Sequence, residues 1–362
     1  MSRLAVYIVT APGLESVTAA EMARLDMKVV DLGIGGLTAS LTWSQMQLAH
    51  LQLSTPTRLL VRLGRFEASG FGDLQAGLRD IPLHEWLPKH SALRLNIVAS
   101  GSRLFNTELI EEKVRTVVRR PEVEGQTYEG GTYTLHVRIS RNIATVSLDA
   151  TGEPMSQRTW RHEDDSAPLR ATIAAGLLHW SGARAFKGVL VDPSCGDGTV
   201  IIEAARMARR LPPGLDRSFA FETWLPIEAT DLIKFRGAAA ADVRPALKKP
   251  FLACESSVEL LALAQANAQR AGVDADIQFE LGDGAKFLAA HQQPAVVTNT
   301  PQNERLSAQK RAALFAALAT VPRLAVITSA SSVRNIEREF DDTMATSNGP
   351  SAVRFATAGF GS

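Results

Sequence analysis

The sequence is poor in cysteine, balanced in charge and without a long apolar run. Its two cysteines, Cys195 and Cys254, are too few for a disulfide framework, and neither has a CxxC or Cys/His spacing that would hold a metal ion. No apolar stretch approaches the roughly 20 residues that cross a bilayer. We therefore predict a protein of the reducing cytoplasm, with no membrane span and no metal site.

The charge gives no global argument for a nucleic-acid partner, because the net charge is +1 over 362 residues. Two local basic clusters, Lys113–Arg120 and Arg158–Arg170, have the composition of phosphate-contacting surfaces. Taken alone, each cluster is better explained as the solvated face of an ordinary helix. Charge therefore leaves the nucleic-acid question open.

The two halves of the chain have different patterns. The first 150 residues mix short β-rich runs with helical stretches, beginning with a strand predicted at residues 4–9 instead of a leader sequence. From about residue 165, apolar strands alternate with helices. This alternation predicts a parallel sheet with crossover helices, in which ligands bind at the carboxyl ends of the strands.

The run Val189–Thr199 is an apolar strand that ends in an acid and a glycine-rich turn and then opens a helix. Gly196 and Gly198 allow a ligand to approach the backbone, and the start of the helix supplies unpaired N–H groups. A dinucleotide fingerprint would have a third glycine where Ile201 stands, which disfavours a nicotinamide-dependent oxidoreductase. The run instead favours another nucleoside-type cofactor.

Polar residues close four successive apolar strands of this half, namely Asp192, Glu255, Asp283 and Asn299. A carboxylate after the second strand can accept hydrogen bonds from both hydroxyls of a ribose, and one after the third can accept from an adenine amino group. A helix cap or a turn would explain any single one of them equally well. The order of all four favours a cofactor site.

Several segments together resemble the THUMP-domain RNA guanine-N2 methyltransferases. In the second half they are DPSCGDGTVIIEAA at residues 192–205, Ala167–Arg170 and Pro213–Leu215; in the first half they are Thr10–Glu15, Arg58–Leu60 and Ser147–Arg161. The resemblance implies an α/β, Rossmann-like class I methyltransferase domain with a seven-stranded mixed sheet, preceded by α+β ferredoxin-like and THUMP domains. The implied units are residues 1–55 (ferredoxin-like), 56–150 (THUMP-like, RNA-binding), 151–165 (linker) and 166–362 (methyltransferase).

The resemblance also implies a cofactor, a partner and roles for the site residues. The cofactor would be S-adenosylmethionine and the partner an RNA, ribosomal or transfer, with no prediction of oligomeric state. The methionine part of the cofactor would lie among Asp192, Ser194, Gly196 and Gly198, the ribose at Glu255 and the adenine at Asp283.

The catalytic loop of that family reads Asn-Pro-Pro-Tyr-Gly-Glu-Arg-Leu, and here it reads Asn299-Thr300-Pro301-Gln302-Asn303-Glu304-Arg305-Leu306. The implied role of Asn299 and the Thr300 carbonyl is to accept hydrogen bonds from an exocyclic base amine. Thr300 replaces the first proline, which predicts a less rigid loop. Gln302 replaces the stacking aromatic, a loss of about 1–3 kcal/mol or roughly ten- to a hundred-fold in function.

Two functions follow from this departure. The first is an RNA N-methyltransferase whose loop, Asn299 to Gln302, remains active. The second is a catalytically impaired relative that binds RNA, and perhaps the cofactor, as a binding or assembly factor. Methyl transfer to RNA distinguishes them.

Overall fold

A computed structural model of the chain describes residues 3–123, 128–161, 169–226, 230–301 and 306–360. They form two seven-stranded sheets, one built from strands before residue 150 and the other from strands after residue 189. Among the helices within these ranges, none is both long and apolar enough to cross a membrane.

The first sheet is mostly antiparallel. Its strands are β1 (Leu4–Val9), β2 (Val29–Gly33), β3 (Gly36–Leu41), β4 (Arg58–Glu67), β5 (Ala92–Ser100), β6 (Thr132–Ser140) and β7 (Ile143–Asp149). They lie in the order β2-β3-β1-β4-β7-β6-β5, and β1 pairs with both β3 and β4. The sheet is thus continuous across the predicted division at residues 55 and 56. The ferredoxin-like and THUMP boundaries stay predictions.

Helices pack on one face of this sheet. They are α1 (Glu15–Ala23), α2 (Trp43–Gln52), α3 (Phe71–Arg79), α4 (Leu83–Trp86) and α5 (Thr107–Val118). Their apolar side chains share one core with alternate residues of the strands, including Ile8, Val61 and Val137. Because successive residues of a strand point to opposite faces, the residues between these belong to the other face, away from the helices.

The second sheet is parallel except at one edge. Its strands are β8 (Leu190–Asp192), β9 (Phe251–Glu255), β10 (Ile277–Leu281), β11 (Ala295–Asn299), β12 (Arg323–Thr328), β13 (Asp342–Asn348) and β14 (Ser351–Ala358). The order is β10-β9-β8-β11-β12-β14-β13, with β14 antiparallel to both of its neighbours. The chain moves outward from β8 to β10 and returns to β11, so the switch in strand order lies beside β8. Ligand sites of open α/β sheets lie outside the carboxyl ends of the strands at such a point.

The helices of the second half are α6 (Ala171–Trp180), α7 (Thr199–Arg209), α8 (Thr230–Asp242), α9 (Val258–Arg270), α10 (Gly284–Ala289) and α11 (Ala308–Thr320). Several begin at a polar cap that follows a strand closely. The Ser257 hydroxyl accepts from the backbone N–H of Leu260 at 3.2 Å, and this cap begins α9 two residues beyond Glu255. The cap therefore keeps the loop after β9 short.

A buried carboxylate joins the two halves. Glu21 on α1 accepts from the backbone N–H groups of Ser54 (3.0 Å) and Thr55 (3.1 Å) and from both of their hydroxyls. Its Oε1 lies 3.0 Å from Nε2 of His179, which is on α6 of the second half. Burial acts to raise the pKa of Glu21, but His179 and these hydroxyls outweigh it and lower the pKa to about 2.

A second buried group crosses the same junction. The Arg158 guanidinium pairs with both oxygens of Glu203 on α7, from Nε at 2.9 Å and Nη2 at 3.1 Å. It also donates to the carbonyl of Ser54 in the first half at 2.9 Å and to that of Met155 at 2.6 Å. Arg158 is only 5% exposed, so the prediction that its cluster is a solvated helix face is wrong at this residue.

The segment between α7 and β9 packs against the first half. Phe221 and Trp224 lie in the core of the first sheet, where Trp224 contacts the ring of Trp86. The Ser44 hydroxyl on α2 donates to Asp231 on α8 at 2.6 Å. Phe219, Phe221 and Trp224 of this segment therefore complete the N-terminal core.

We expect the Arg158–Glu203 pair to be a main support of the junction. The R158M variant should lose about 3–5 kcal/mol in the free energy of unfolding, because Glu203 is left buried without its paired guanidinium. The R158M/E203L double variant should recover much of that loss. Denaturant unfolding at neutral pH measures both.

The exposed pair Arg210–Asp242 provides a matched control, since its side chains are 51% and 62% exposed. The R210M variant should lose less than about 1 kcal/mol. Equal losses in R158M and R210M would contradict a structural role for the buried pair.

Candidate active site

Three loops meet at the carboxyl edge of the second sheet, after β8, β9 and β11. Hydrogen bonds connect them: Cys195 N–H donates to the Cys254 carbonyl at 3.0 Å, and the Thr298 hydroxyl donates to Asp192 at 2.7 Å. The loop after β10 joins them through Gly282 N–H, which donates to the Glu255 carbonyl at 2.9 Å. The structure therefore places the predicted strand-end residues along one edge.

Asp192 is a buried carboxylic acid with one unused oxygen. Its Oδ1 accepts from the Thr298 hydroxyl and from Ser194 N–H at 3.2 Å, and the residue is 1% exposed. Its Oδ2 is buried and has no hydrogen-bond partner among the residues that the structure describes. Burial, with smaller effects of Glu255 and Asp197, raises the pKa of Asp192 to about 7. A buried oxygen of this kind is an acceptor for a cationic or hydrogen-bond-donating ligand group.

Glu255 organises the neighbouring loop. Its Oε1 accepts from the N–H groups of Ser256 (2.8 Å) and Ser257 (3.0 Å), and its Oε2 accepts from Gly196 N–H (2.9 Å). The Ser256 hydroxyl also approaches Oε1. With about two acceptor sites on each oxygen, Oε2 keeps one free while Oε1 is fully used. A ligand hydroxyl thus has room at Oε2.

Glycine is needed at the two positions of the loop for different physical reasons. Gly196 has φ +57°, and a Cβ added there would point into open space. Gly198 has φ +84°, and a Cβ there would lie 2.9 Å from Cδ1 of Ile202 and 3.2 Å from Cβ of Ala264. Gly198 therefore allows α7 to pack against α9, whereas Gly196 borders the space that a ligand would occupy.

Asp283 is the N-cap of α10. Its Oδ1 accepts from the N–H groups of Ala285 and Lys286, both at 3.1 Å. The residue is partly exposed, and its Oδ2 makes no hydrogen bond within the described ranges. The cap explanation and the ligand explanation are compatible, because each uses a different oxygen.

The first residues of the predicted catalytic loop continue β11. Thr300 is buried, its N–H donates to the Ile327 carbonyl at 2.9 Å, and its hydroxyl lies 3.2 Å from that carbonyl and 2.9 Å from the Thr328 hydroxyl. These contacts hold Thr300 where the family motif has a proline, and the less rigid loop stays a prediction. Asn299 and Pro301 are partly buried on either side, and Gln302 lies outside the described residues.

Sequence reasoning missed three supports of the site. Thr298 orients Asp192, and the pair of Arg161 Nη2 with Asp197 Oδ2 (2.7 Å) holds the turn between Gly196 and Gly198. Asn267 on α9 donates to the Asp197 carbonyl at 3.0 Å. The sequence signal for the first support was Thr298 itself, a polar residue within an otherwise apolar strand. The pairing of Arg161 with Asp197 has no sequence signal. Within the described ranges, no group of His, Cys, Asp and Glu has a metal-binding arrangement.

The chain is similar to known proteins. The family model described as RMKL-like, methyltransferase domain matches residues 158–340, half of the chain. A relative named ribosomal RNA large subunit methyltransferase K/L, from Psychromonas ingrahamii, is 28% identical over 319 residues, which cover 84% of this chain and 42% of the relative. The chain therefore spans about two fifths of that relative's length.

Two solved structures have the same fold along their whole length. SMU.472, crystallised in complex with SAH, has a TM-score of 0.86 at 21% identity and covers 100% of this chain and 99% of its own. A Clostridium difficile 630 protein described as a possible methylase has a TM-score of 0.85 at 24% identity, covering 99% and 98%. The predicted α/β, Rossmann-like methyltransferase fold with a seven-stranded mixed sheet is confirmed.

The raised pKa of Asp192 predicts a pH-dependent stability. The pKa of about 7 in the folded protein exceeds the ordinary 3.8, so the folded state holds the proton more tightly. This contribution is complete below pH 3.8 and is lost as the pH rises through about 7. From about pH 5 to about pH 8, the free energy of unfolding should therefore fall by about 2–3 kcal/mol.

The D192N variant should lack this contribution when the free energy of unfolding is measured at both pH values. The D274N variant changes an exposed carboxyl and should keep the wild-type dependence. The same dependence in wild type and D192N would refute the assignment.

The contacts of Thr300 predict that a proline there destabilises the protein. The T300P variant loses the N–H and hydroxyl bonds and leaves the Ile327 carbonyl unpaired, at a cost of about 1–3 kcal/mol. The T300S variant keeps both donors and should lose under about 1 kcal/mol. Thermal unfolding compares them; a T300P variant as stable as T300S would show that the bonds are dispensable.

Proposed function

Because the chain belongs to the RMKL-like methyltransferase domain family, we propose that it transfers methyl groups from S-adenosylmethionine to RNA, with guanine N2 as the acceptor. The name of the Psychromonas relative favours ribosomal over transfer RNA. The observation that carries the proposal is the unpaired, buried Oδ2 of Asp192 in the same loop as the open space at Gly196.

The residues present fit this cofactor. The ammonium of its methionine part would pair with Asp192 Oδ2, because a cation satisfies a buried carboxylate best. Gly196 leaves the approach clear, while Ser194 and Gly198 shape the loop around it. The free acceptor site on Glu255 Oε2 suits one ribose hydroxyl, and Asp283 Oδ2 suits the adenine amino group.

Asn299 and Thr300 would perform the catalytic work. The cofactor supplies an electrophilic methyl group on a positively charged sulfur. The Asn299 side-chain oxygen and the Thr300 carbonyl accept hydrogen bonds from the base amine, which frees the nitrogen lone pair to attack that methyl group. The methyl group would replace one hydrogen of the amine, and the displaced proton would pass to water.

Pro301 and Gln302 would position the base. Pro301 limits the backbone freedom of the loop through its ring. Gln302 has no aromatic face, so the base would be held less firmly than by the family's aromatic residue, by about 1–3 kcal/mol. We propose slower transfer for this reason, with cofactor binding unaffected.

Isothermal titration with S-adenosylmethionine is the first test. The G196A variant should bind at least about tenfold more weakly, equivalent to about 1.4 kcal/mol, because its methyl group enters the open space. The G272A variant is a matched control: Gly272 also has a positive φ, +67°, and open space, but it precedes β10 at the opposite edge of the sheet. Equal affinities of G196A and G272A would refute the assigned site.

The same preparation is then incubated with labelled cofactor and bulk RNA that lacks the modification, and methylated nucleosides are identified. Methyl transfer to guanine N2 supports the enzyme. Cofactor binding without transfer supports the impaired RNA-binding relative, and the Q302Y variant should then raise transfer by roughly ten- to a hundred-fold if the missing aromatic is the cause. Methylation of another base refutes the guanine assignment.

A further inference from the structure

A cavity of about 610 Å³ lies beside the end of β12, on the face of the second sheet that α11 covers. We call it the β12 pocket; its lining includes Ala330, Val333, Arg334, Glu337, Phe340 and Arg354. Its volume is within the range of pockets that bind small ligands. The pocket shares none of these residues with the proposed cofactor site or the catalytic loop, so it offers a separate place for a ligand.

Strand pairing places the β12 pocket next to the predicted catalytic loop. Arg354 on β14 is the register partner of Thr328, the last residue of β12. The Thr328 hydroxyl in turn lies 2.9 Å from the Thr300 hydroxyl. Neighbouring strands are about 4.8 Å apart, so two strand spacings, roughly 10 Å, separate the backbones of Thr300 and Arg354. A ligand in the pocket would therefore be adjacent to the base that Asn299 and Thr300 hold, and distinct from it.

Two arginines of the pocket have free donors. Arg354 shares a face with Ala356 of the core under α11, and its Nη1 donates to the Thr343 hydroxyl at 3.2 Å. A guanidinium has five N–H donors, so most of those on Arg354 remain. Arg334 is exposed on the short helical turn Ser332–Asn335. Neither arginine has an ion pair among the residues that the structure describes. The pair therefore suits a phosphate, whose oxygens match the planar fork of a guanidinium.

The third arginine of the pocket, Arg338, holds the wall in place. Its Nη1 donates to the carbonyls of Val321 at 2.7 Å and Leu318 at 3.5 Å, at the end of α11. Val333 and Phe340, on the same segment as Arg338, pack against the core that α11 covers. Phe340 is only partly buried and lines the pocket, so part of its ring is accessible to a ligand.

A carboxylate completes the lining. Glu337 is exposed and makes no ion pair or hydrogen bond with any other part of the chain that the structure describes. An ionised carboxylate accepts hydrogen bonds on two oxygens that lie side by side. Guanine supplies two parallel donors, a ring N–H and the amino group beside it, whereas uracil has one N–H between two carbonyl oxygens. Glu337 therefore favours guanine over uracil.

We propose that the β12 pocket binds a guanine nucleotide of the RNA, next to the nucleotide that is methylated; this rests on the proposed function. Its phosphate would pair with Arg334 and Arg354. Its base would stack on Phe340 and donate to Glu337. The pocket would thereby hold the strand beside the loop in which Gln302 offers no aromatic face. It adds a sequence requirement at a position that the catalytic residues do not contact.

The first test is saturation-transfer NMR on the full chain with guanosine 5′-monophosphate and uridine 5′-monophosphate. Excess S-adenosylhomocysteine is added so that neither nucleotide enters the cofactor site. The guanine nucleotide should bind at least about fivefold more tightly, the discrimination of one good bidentate contact. Equal binding of the two nucleotides would overturn the guanine assignment. Inorganic phosphate that competes as well as the guanine nucleotide would show a simple anion site and overturn the proposal.

Variants locate the binding. R334A/R354A should weaken binding of the guanine nucleotide roughly tenfold, because the phosphate loses its charged donors. F340L keeps an apolar side chain but removes the aromatic face, and should weaken binding roughly fivefold or more. The control R94A/R323A removes the same charge from exposed β5 and from the amino end of β12, at the opposite edge of the sheet. Equal weakening by both double variants would assign the effect to net charge and overturn the pocket.

Crosslinking keeps the proposal testable if F340L fails to fold. The unaltered protein is irradiated with 6-thioguanosine 5′-monophosphate, and the crosslinked peptides are identified by mass spectrometry. Crosslinks within residues 330–354 support the pocket. Crosslinks confined to the first half of the chain overturn it.

Methyl transfer gives a second readout. With bulk RNA that lacks the modification, R334A/R354A should raise KM for RNA roughly tenfold and change kcat less than about threefold, because the phosphate contact is remote from the reacting atoms. Transfer with an unchanged KM would overturn the pocket and leave the proposed function intact. Guanine nucleotide binding in the pocket without any methyl transfer would refute the enzyme but not the binding site.

Discussion

The buried ion pair between Arg158 and Glu203 is the contact on which the arrangement of the two halves depends. One guanidinium pairs with α7, which starts at the glycine-rich loop, and donates to Ser54, which belongs to the first half. Taking both charges out of water is costly, and only a complete set of partners offsets that cost. The adjacent Glu21 cluster follows the same rule, because its carboxylate is surrounded by donors from both halves. The junction is therefore held by polar contacts of specific geometry as well as by apolar packing.

This junction sets the relation between the first sheet and the carboxyl edge of the second sheet. Arg161, three residues beyond Arg158, holds Asp197 of the glycine-rich loop, while Arg58 lies on β4 of the first sheet. Arg58 and Arg161 line the same cavity. The segment after α7 strengthens the connection, because its aromatic residues complete the N-terminal core. The two halves thus share packing as well as polar contacts.

At the carboxyl edge of the second sheet, acidic side chains hold the backbone and keep some acceptor sites free. Glu255 accepts backbone hydrogen bonds on both oxygens and keeps one acceptor site on Oε2, whereas Asp283 uses only Oδ1 within the described residues. Asp192 does the same with Thr298 and Ser194, but its free oxygen is fully buried. Because of this division, the cap and ligand explanations, which looked like alternatives in the sequence, are compatible for the same residue. At Thr300, hydrogen bonds to Ile327 and Thr328 stand in place of the family's proline ring. The sequence alone does not show these bonds.

The sequence by itself determined where central strands of the second sheet end: β8, β9 and β11 close at Asp192, Glu255 and Asn299 as predicted. A short apolar run between polar residues leaves few alternatives to a strand. The sequence also identified the polar residues after those strands and the family they resemble. Tertiary structure alone decided that Arg158 is buried, that Phe219, Phe221 and Trp224 pack in the core of the first half, and that a bulge in β4 places Arg65 on the same face as Arg62. Each depends on contacts between residues far apart in the chain, and local propensity and spacing carry no information about such contacts.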